Sequence, residues 1–340
     1  MLDLHRLRLL RELKHRGTLT AVAEALSYSP SSISQQLAVL EKEVGVPLLE
    51  PVGRRVRLTE QAEILVVHTE AVLEQLERAE AELAASMAGL TGVIRIATFQ
   101  TAAMALVPTA LTLLREAHPG LRVQVTQTEP ETALPALLAR DFDLVIAEEY
   151  PGNPNPRYEE IEQAGLCEDE IRLAVPKTKA PPVPKTTTPA DPKTKTPAVA
   201  TTKAPAASPQ TLEGLAALAE HPWVMEPLGT EPRKWATMLC RTAGFEPDVR
   251  FESSDLLLHA RLVEEGHAVA LLPDLVWSGG RPADGVVLRS LPSDQRRRRL
   301  TTAVRRGGGQ HPAIRAYRDA LRRTVEANSL AKSLAEDPNP

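Results

Sequence analysis

The sequence predicts an α/β protein preceded by an all-α N-terminal domain with a small β wing and by one long helix. Three observations carry that prediction. Residues 18–44 read as two short helices joined by a tight polar turn. Apolar residues then recur in four-three alternation from Leu65 to Leu90, the mark of a long helix with a seam. From Val93 onward, β-branched runs alternate with helical patterns, which indicates a sheet covered by helices.

Asp3 is suited to cap a first helix whose Leu4, Leu7, Leu10 and Leu13 support the next two. Thr18–Leu26 is a short helix with small residues at Ala21, Ala23 and Ala25, and Ser27-Tyr28-Ser29 is the turn. Ser29 caps the second helix and Pro30 takes its first position, where a missing N–H costs nothing. Ile33, Leu37, Leu40 and Val44 make its buried stripe, and Gly45 stops it. The opposite face carries Ser31, Ser32, Gln35, Gln36 and Val39 without a charge. A solvated helix face is usually rich in Glu and Lys, whereas Gln and Ser suit base edges and phosphates. Two helices, a three-residue turn and small residues at the crossing form the helix-turn-helix pattern, which lays its second helix in the major groove. An ordinary helical hairpin in an enzyme is the competing reading.

Pro47–Leu58 reads as two short strands around the Val52-Gly53-Arg54 turn, a wing whose Arg54, Arg55 and Arg57 are candidates for phosphate contact. Thr59 caps the next helix, with Glu60 at its positive end. Its seam, Leu65, Thr69, Val72, Leu76, Ala79, Leu83, Ser86 and Leu90, calls for a two-fold partner. Gly89 and Gly92 end the helix and supply a hinge.

The following elements are strands at Val93–Ala97, Arg122–Thr126 and Asp143–Ala147, with a helix to His118 kinked at Pro108 and another at Leu134–Arg140. Strands at Ile171–Val175, Pro222–Met225, Val249–Phe251 and Ala268–Leu272 and helices at Glu231–Thr242 and Asp255–Glu265 build a second lobe. Val286–Leu291, Leu300–Arg305 and a helix over Pro312–Asn328 close the chain. Strands alternating with helices predict a parallel sheet.

Thr18-Leu-Thr-Ala-Val-Ala-Glu-Ala-Leu, Ser34-Gln-Gln-Leu-Ala-Val-Leu-Glu41, Gly45-Val-Pro-Leu-Leu-Glu50 and Gly53-Arg-Arg-Val-Arg-Leu-Thr59 closely resemble LysR-type transcriptional regulators. The resemblance continues more loosely to about Asn328. It departs from the family pattern at Pro30, where the family usually has Gln, and at Leu49-Glu50-Pro51, where it commonly has Phe-Glu-Arg. The resemblance implies three parts. Residues 1–58 form a winged helix-turn-helix domain that contacts DNA through Thr18, Ser29, Pro30, Ser31, Ser32, Ser34, Gln35, Gln36, Arg54, Arg55 and Arg57. Residues 59–90 form a dimerising linker helix. Residues 91–328 form a periplasmic-binding-protein-like pair of lobes, lobe 1 at about 91–164 and 273–328 and lobe 2 at about 165–272, the chain crossing near Gly165 and near Pro273.

Composition bounds these readings. The net charge of −4 gives no global sign of nucleic-acid binding, so a basic footprint has to be local. Up to Leu58, nine Lys and Arg face six Asp and Glu, which has the right sign. Met1–Arg16 alternates charge with leucine instead of building a signal core, and no apolar run approaches a membrane span. A cytoplasmic location follows, with no membrane partner. Cys167 and Cys240 stand apart, with no Cys-x-x-Cys, and read as packing residues. Residues 177–209 are rich in Pro, Lys, Thr and Ala and poor in apolar branched side chains, which predicts a disordered insertion; 329–340 reads as a disordered tail. No catalytic motif, metal site or cofactor site is expected.

Ligands of open α/β folds sit at the carboxyl ends of strands, against helix N-termini with free amides. Phe99, Gln100, Thr101 and Ala102, with Gln127 and Thr128, meet that description in the first lobe. Met225, Gly229, Thr230, Glu231, Ser253 and Ser254 meet it in the second. The acidic Glu226, Glu231 and Glu252 favour an amine-bearing or zwitterionic metabolite. The expected partners are double-stranded DNA, a small-molecule effector in a cleft between the lobes, and further copies of the chain as a dimer or tetramer. The alternatives are a ligand-independent DNA-binding protein and an enzyme with an α/β ligand domain.

Overall fold

The structure is a computed structural model that describes residues 1–26, 28–53, 55–87, 89–155, 157–177, 212–278, 280, 284–292 and 294–336. The insertion expected at 177–209 lies outside the described residues apart from Lys177. The chain divides into unit 1, Met1–Glu148 with Asn155–Leu166 and Leu300–Pro340, and unit 2, Glu149–Pro154 with Cys167–Arg299.

Unit 1 begins with α1 (Leu4–Arg16), α2 (Leu19–Leu26) and α3 (Pro30–Val44). Asp3 caps α1 by accepting from the Arg6 amide, and Ser29 caps α3 by accepting from the Ser32 amide at 3.1 Å. Gly45 ends α3 at φ 78°, a left-handed conformation that a side chain would oppose. Ile33, Leu37 and Leu40 are fully buried against Leu9, Leu10, Leu13 and Val22. Each such side chain contributes about 1.5–3 kcal/mol through burial. β1 (Leu49–Val52) and β2 (Arg55–Leu58) pair antiparallel, with Leu49 opposite Leu58. Glu41 Oε1 ties this hairpin to α3 by accepting from the amides of Leu48 and Leu49 at 2.8 and 3.0 Å.

The long helix α4 (Glu60–Ala85) is capped by Thr59 and ends before the expected Leu90. Ser86 terminates it, its hydroxyl donating to the Leu83 carbonyl at 2.7 Å. The helix carries two stripes. Ala62, Val66, Thr69, Leu73, Glu77 and Ala81 are buried against the same chain. Of the predicted seam, Val72, Leu76 and Leu83 stand 47, 36 and 66% exposed, while Thr69 belongs to the buried stripe. A seam repeating every 3.5 residues drifts round a 3.6-residue helix, which lets one helix serve both faces.

In the rest of unit 1, β3 (Gly92–Thr98) runs parallel to β4 (Leu121–Gln127) and to β5 (Leu144–Glu149). The expected kinked helix is two helices, α5 (Gln100–Ala105) and α6 (Val107–Ala117), because Pro108 takes the first turn of a new helix. Likewise α7 (Pro130–Leu138) starts earlier than expected, at a proline. The strand order here is β6-β11-β5-β3-β4, where β6 spans Ile161–Pro176 and β11 Arg297–Arg305. Gly307 follows β11 at φ +88°, and a Cβ there would lie 2.6 Å from the Glu74 carbonyl oxygen of α4, so the loop reaches the linker helix only as glycine. The closing helix, α10 (Pro312–Glu336), continues past Asn328, where a disordered tail was expected; Ala, Leu, Glu and Lys are strong helix formers. Residues 337–340 lie outside the described residues.

In unit 2, β7 (Pro222–Met225) and β8 (Asp248–Glu252) pair in parallel, and β6 pairs antiparallel with β9 (Ala270–Pro273) and β10 (Val286–Ser290). The sheet that contains β6 is therefore mixed and not parallel throughout. These pairings also correct the second crossing: β9 and β10 belong to unit 2, and the chain returns at Leu300 instead of near Pro273. α8 (Glu231–Thr242) and α9 (Leu256–Glu264) cover the unit with Trp223, Trp235 and Leu239 in its core. Arg298 and Asp169, 1 and 2% exposed, meet at 2.7 Å inside it.

Candidate nucleic-acid interface and effector segments

The polar face of α3 is as solvent-accessible as its composition implied. Ser29, Pro30, Ser31, Ser34 and Gln35 are exposed, and Ser32 and Gln36 are half-buried. Ser29 Oγ lies 2.9 Å from Ser31 Oγ, so part of this hydroxyl cluster serves the helix cap. Thr18 does the same for α2, its Oγ1 accepting from the Ala21 amide at 3.1 Å. Gln35 is left pointing outward opposite the Ile33–Leu37–Leu40 stripe, one turn into the helix. Arg6, held by Glu43 at 2.5 Å, reaches Gln36 Oε1 at 3.5 Å and limits the freedom of that amide.

On the wing, Arg57 bonds Glu50 Oε1 at 2.7 Å while remaining 73% exposed. Arg54 lies outside the described residues, and of Arg55 only the backbone, in β2, is described. The sequence reading missed Tyr28. It is 47% exposed just before the α3 cap and meets the His5 ring edge-on, with centroids 5.9 Å apart. Its place in a turn that otherwise reads as punctuation gave no signal.

The effector candidates fall into two sets. In unit 1, Phe99, Thr101 and Ala102 are buried at the start of α5, Gln100 and Thr128 are half-buried, and Gln127 is exposed at the end of β4. The Thr128 amide donates to the Thr98 carbonyl at 3.0 Å, which joins the ends of β3 and β4. In unit 2, Met225 is buried, Gly229 and Ser254 are exposed, and Thr230, Glu231 and Ser253 are half-buried. Thr230 Oγ1 donates to the Pro227 carbonyl and Ser253 Oγ accepts from the Asp255 amide, so both hydroxyls shape turns. Glu231 bonds Asn153 and Lys234, and Arg233 meets Glu252 at 3.4 Å. These neighbouring cations offset the acidic character expected from composition.

A third cluster was invisible in the sequence because its members are far apart. His15 of α1 faces Glu70 of α4 and Glu160, the residue before β6, at 3.6 and 3.3 Å. Burial opposes the charged imidazole, but the two carboxylates outweigh it and raise the His15 pKa. Glu160 is held down to about 2, chiefly by His15. Nearby, Arg11 donates to the Leu138 carbonyl at 3.0 Å, and Glu77 of α4 meets both Arg140 and Arg305 at 2.6 Å. A cavity of about 350 Å³ lies among Arg11, Glu70, Glu77, Arg140, Glu160 and Arg305. Among the described residues no helix is long and apolar enough to cross a membrane.

Two family descriptions match the chain: a bacterial regulatory helix-turn-helix protein of the lysR family over residues 4–63, and a LysR substrate binding domain over residues 87–326. The transcriptional dual regulator GltC of Bacillus subtilis is 26% identical over 281 residues, covering 83% of this chain and 84% of that protein. A probable hydrogen peroxide-inducible genes activator of Mycobacterium xenopi is 36% identical over 135 residues, 40% of this chain and 70% of that protein. A full-length single-residue variant of OxyR from Pseudomonas aeruginosa has the same fold, with a TM-score of 0.59 at 20% identity over 95% of each chain.

Proposed function

The chain belongs to the LysR family of DNA-binding transcriptional regulators with a substrate-binding effector domain, and from that premise we propose how its own residues divide the work. Gln35 reads a base edge in the major groove, Ser31 and Ser34 contact bases or phosphates, and Arg54, Arg55 and Arg57 hold phosphates beside the helix. The observation that carries this is the uncharged, exposed Ser/Gln face of α3 set opposite a fully buried stripe. The exposed Val72–Leu76–Leu83 stripe of α4 joins two copies of the chain, as a dimer or a tetramer, so that two α3 helices meet two half-sites.

The effector is a small metabolite of the cytoplasm; taken separately, unit 1 offers it the loops that follow β3 and β4, and unit 2 those that follow β7 and β8. A peroxide-sensing reading, suggested by the names of some relatives, finds little support in Cys240. Cys240 is buried and its pKa is pushed up to about 12 by that burial, which leaves little thiolate to react. The test is a gel shift on the DNA flanking the protein's own gene, repeated with a panel of metabolites and with peroxide. A specific shift altered by one metabolite and untouched by peroxide is expected. Turnover of a metabolite without DNA binding overturns the reading.

A further inference from the structure

The His15–Glu70–Glu160 cluster has a geometry that an ordinary ion pair does not explain. His15 Nε2 lies 3.3 Å from Glu160 Oε1 and 3.6 Å from Glu70 Oε1. Both distances exceed those of a good N–H···O bond, and one N–H shared between two acceptors this far away makes at best a weak three-centre bond. His15 Nε2 and Glu70 Oε1 are buried atoms without a hydrogen-bond partner among the described residues. The three side chains are only 17–18% exposed. Neither carboxylate has a Lys or Arg ion-pair partner among the described residues: Lys14 is engaged by Glu63 at 3.0 Å and Arg16 by Glu12 at 2.9 Å.

The same distances fit a shared cation. Tetrahedral ligation with bonds of 2.0–2.2 Å separates neighbouring ligand atoms by roughly 3.3–3.6 Å. The three donor atoms all lie within 4.8 Å of one another. We propose that His15, Glu70 and Glu160 bind one divalent transition-metal cation, tying α1 of the DNA-binding domain to the linker helix and to the chain entering β6. An imidazole with two carboxylates favours zinc, cobalt or nickel over calcium and magnesium, which take oxygen ligands. The two carboxylates neutralise the ion, and the adjoining cavity, which Glu70 and Glu160 help to line, leaves a water in the fourth position. Because the ligands come from three separate elements, the ion fixes the DNA-binding domain on the first part of the effector domain and does not merely decorate one helix. Bound metal then stabilises the folded chain by mass action.

The test uses the full-length chain, stripped with a chelator and dialysed against Zn²⁺ or Co²⁺. The wild type takes up one more equivalent per chain than His15→Ala or Glu160→Gln, and Co²⁺ gives a visible absorption spectrum that both variants lose. Zn²⁺ raises the thermal midpoint of the wild type and leaves that of Glu160→Gln nearly unchanged. Circular dichroism checks folding, and Glu70→Gln replaces any variant that does not fold. Equal uptake by wild type and variants, or no uptake by the wild type, overturns the proposal.

Discussion

Glu77 accepts from Arg305 Nε at 2.6 Å, and both side chains are nearly buried, at 9 and 13% exposed. The contact joins the middle of the linker helix to the strand that returns the chain to unit 1. Arg140 reaches the same carboxylate oxygen at 2.6 Å, so one glutamate anchors two guanidinium groups. Among the described residues, removing it leaves Arg305 with only the longer carboxylate contact to Asp143 at 3.4 Å, and Arg140, 24% exposed, with only Glu80 at 3.7 Å. Glu77→Ala should therefore cost about 3 kcal/mol, the low end for a broken buried pair, since Arg305 keeps Asp143 and the carbonyls of Leu137 and Phe142, and Arg140 keeps Glu80. Chemical denaturation checks this, and a loss below about 1 kcal/mol would show that the remaining carboxylates and carbonyls suffice.

The exposed stripe of α4 gives a cleaner oligomer experiment than a buried seam would. Leu83 is 66% exposed and Leu76 36% exposed on this stripe. Replacing both with Asp should lower the thermal midpoint of a single chain only modestly, while a charge buried between two copies is costly. Sedimentation should show a smaller species that binds its operator more weakly. An unchanged mass would remove the dimerising role of this stripe.

How much of this was legible beforehand depended on the range of each interaction. The caps at Asp3, Ser29 and Thr59, the Gly45 stop and the Ile33–Leu37–Leu40 stripe are local, and the chain spells them out. The heptad from Leu65 to Leu90 was readable as a pattern, but not which face its own chain would cover: Leu73 and Glu77 are buried by partners distant in sequence. The crossing at Leu300 depends on the antiparallel pairing of β9 and β10 with β6, which no local signal encodes. The same is true of His15, Glu70 and Glu160, each an ordinary helix or loop residue until the fold unites them.

The His15 cluster carries a pH signature in chelated protein. His15 has its pKa raised above the ordinary 6.5, so its contribution is complete below 6.5 and is lost as pH rises through the folded value. Glu160 is lowered from 4.5 to about 2, so its contribution is present above 4.5 and fades as pH falls toward 2. The gap in thermal midpoint between wild type and His15→Ala should be widest between the two ordinary values and shrink on the alkaline side. Arg11, Glu12, Lys14 and Arg16 share this surface, which is why the comparison is a difference between variants. With Zn²⁺ added the trend should reverse, because a ligating imidazole has to be neutral. A gap that grows with pH without metal would contradict the ion-pair account.

The division of labour on DNA can be read from two substitutions that differ in kind. Gln35 is exposed on α3, and its amide matches a base edge in two places. Gln35→Ala should cost roughly 1–3 kcal/mol on the specific site and relax the preference at one base pair of each half-site. Non-specific binding should hardly change. Arg57 is mostly exposed but shares its charge with Glu50, so a phosphate has to compete with a carboxylate already 2.7 Å away. Arg57→Ala should therefore weaken specific and non-specific binding alike, and by less than a free arginine would. The slope of log affinity against log salt should fall by up to about one per site. Glu50→Gln should act in the opposite sense, releasing Arg57 and tightening both kinds of binding. Base preference that shifts in Arg57→Ala while Gln35→Ala acts uniformly across sequences would reverse the roles given to helix and wing.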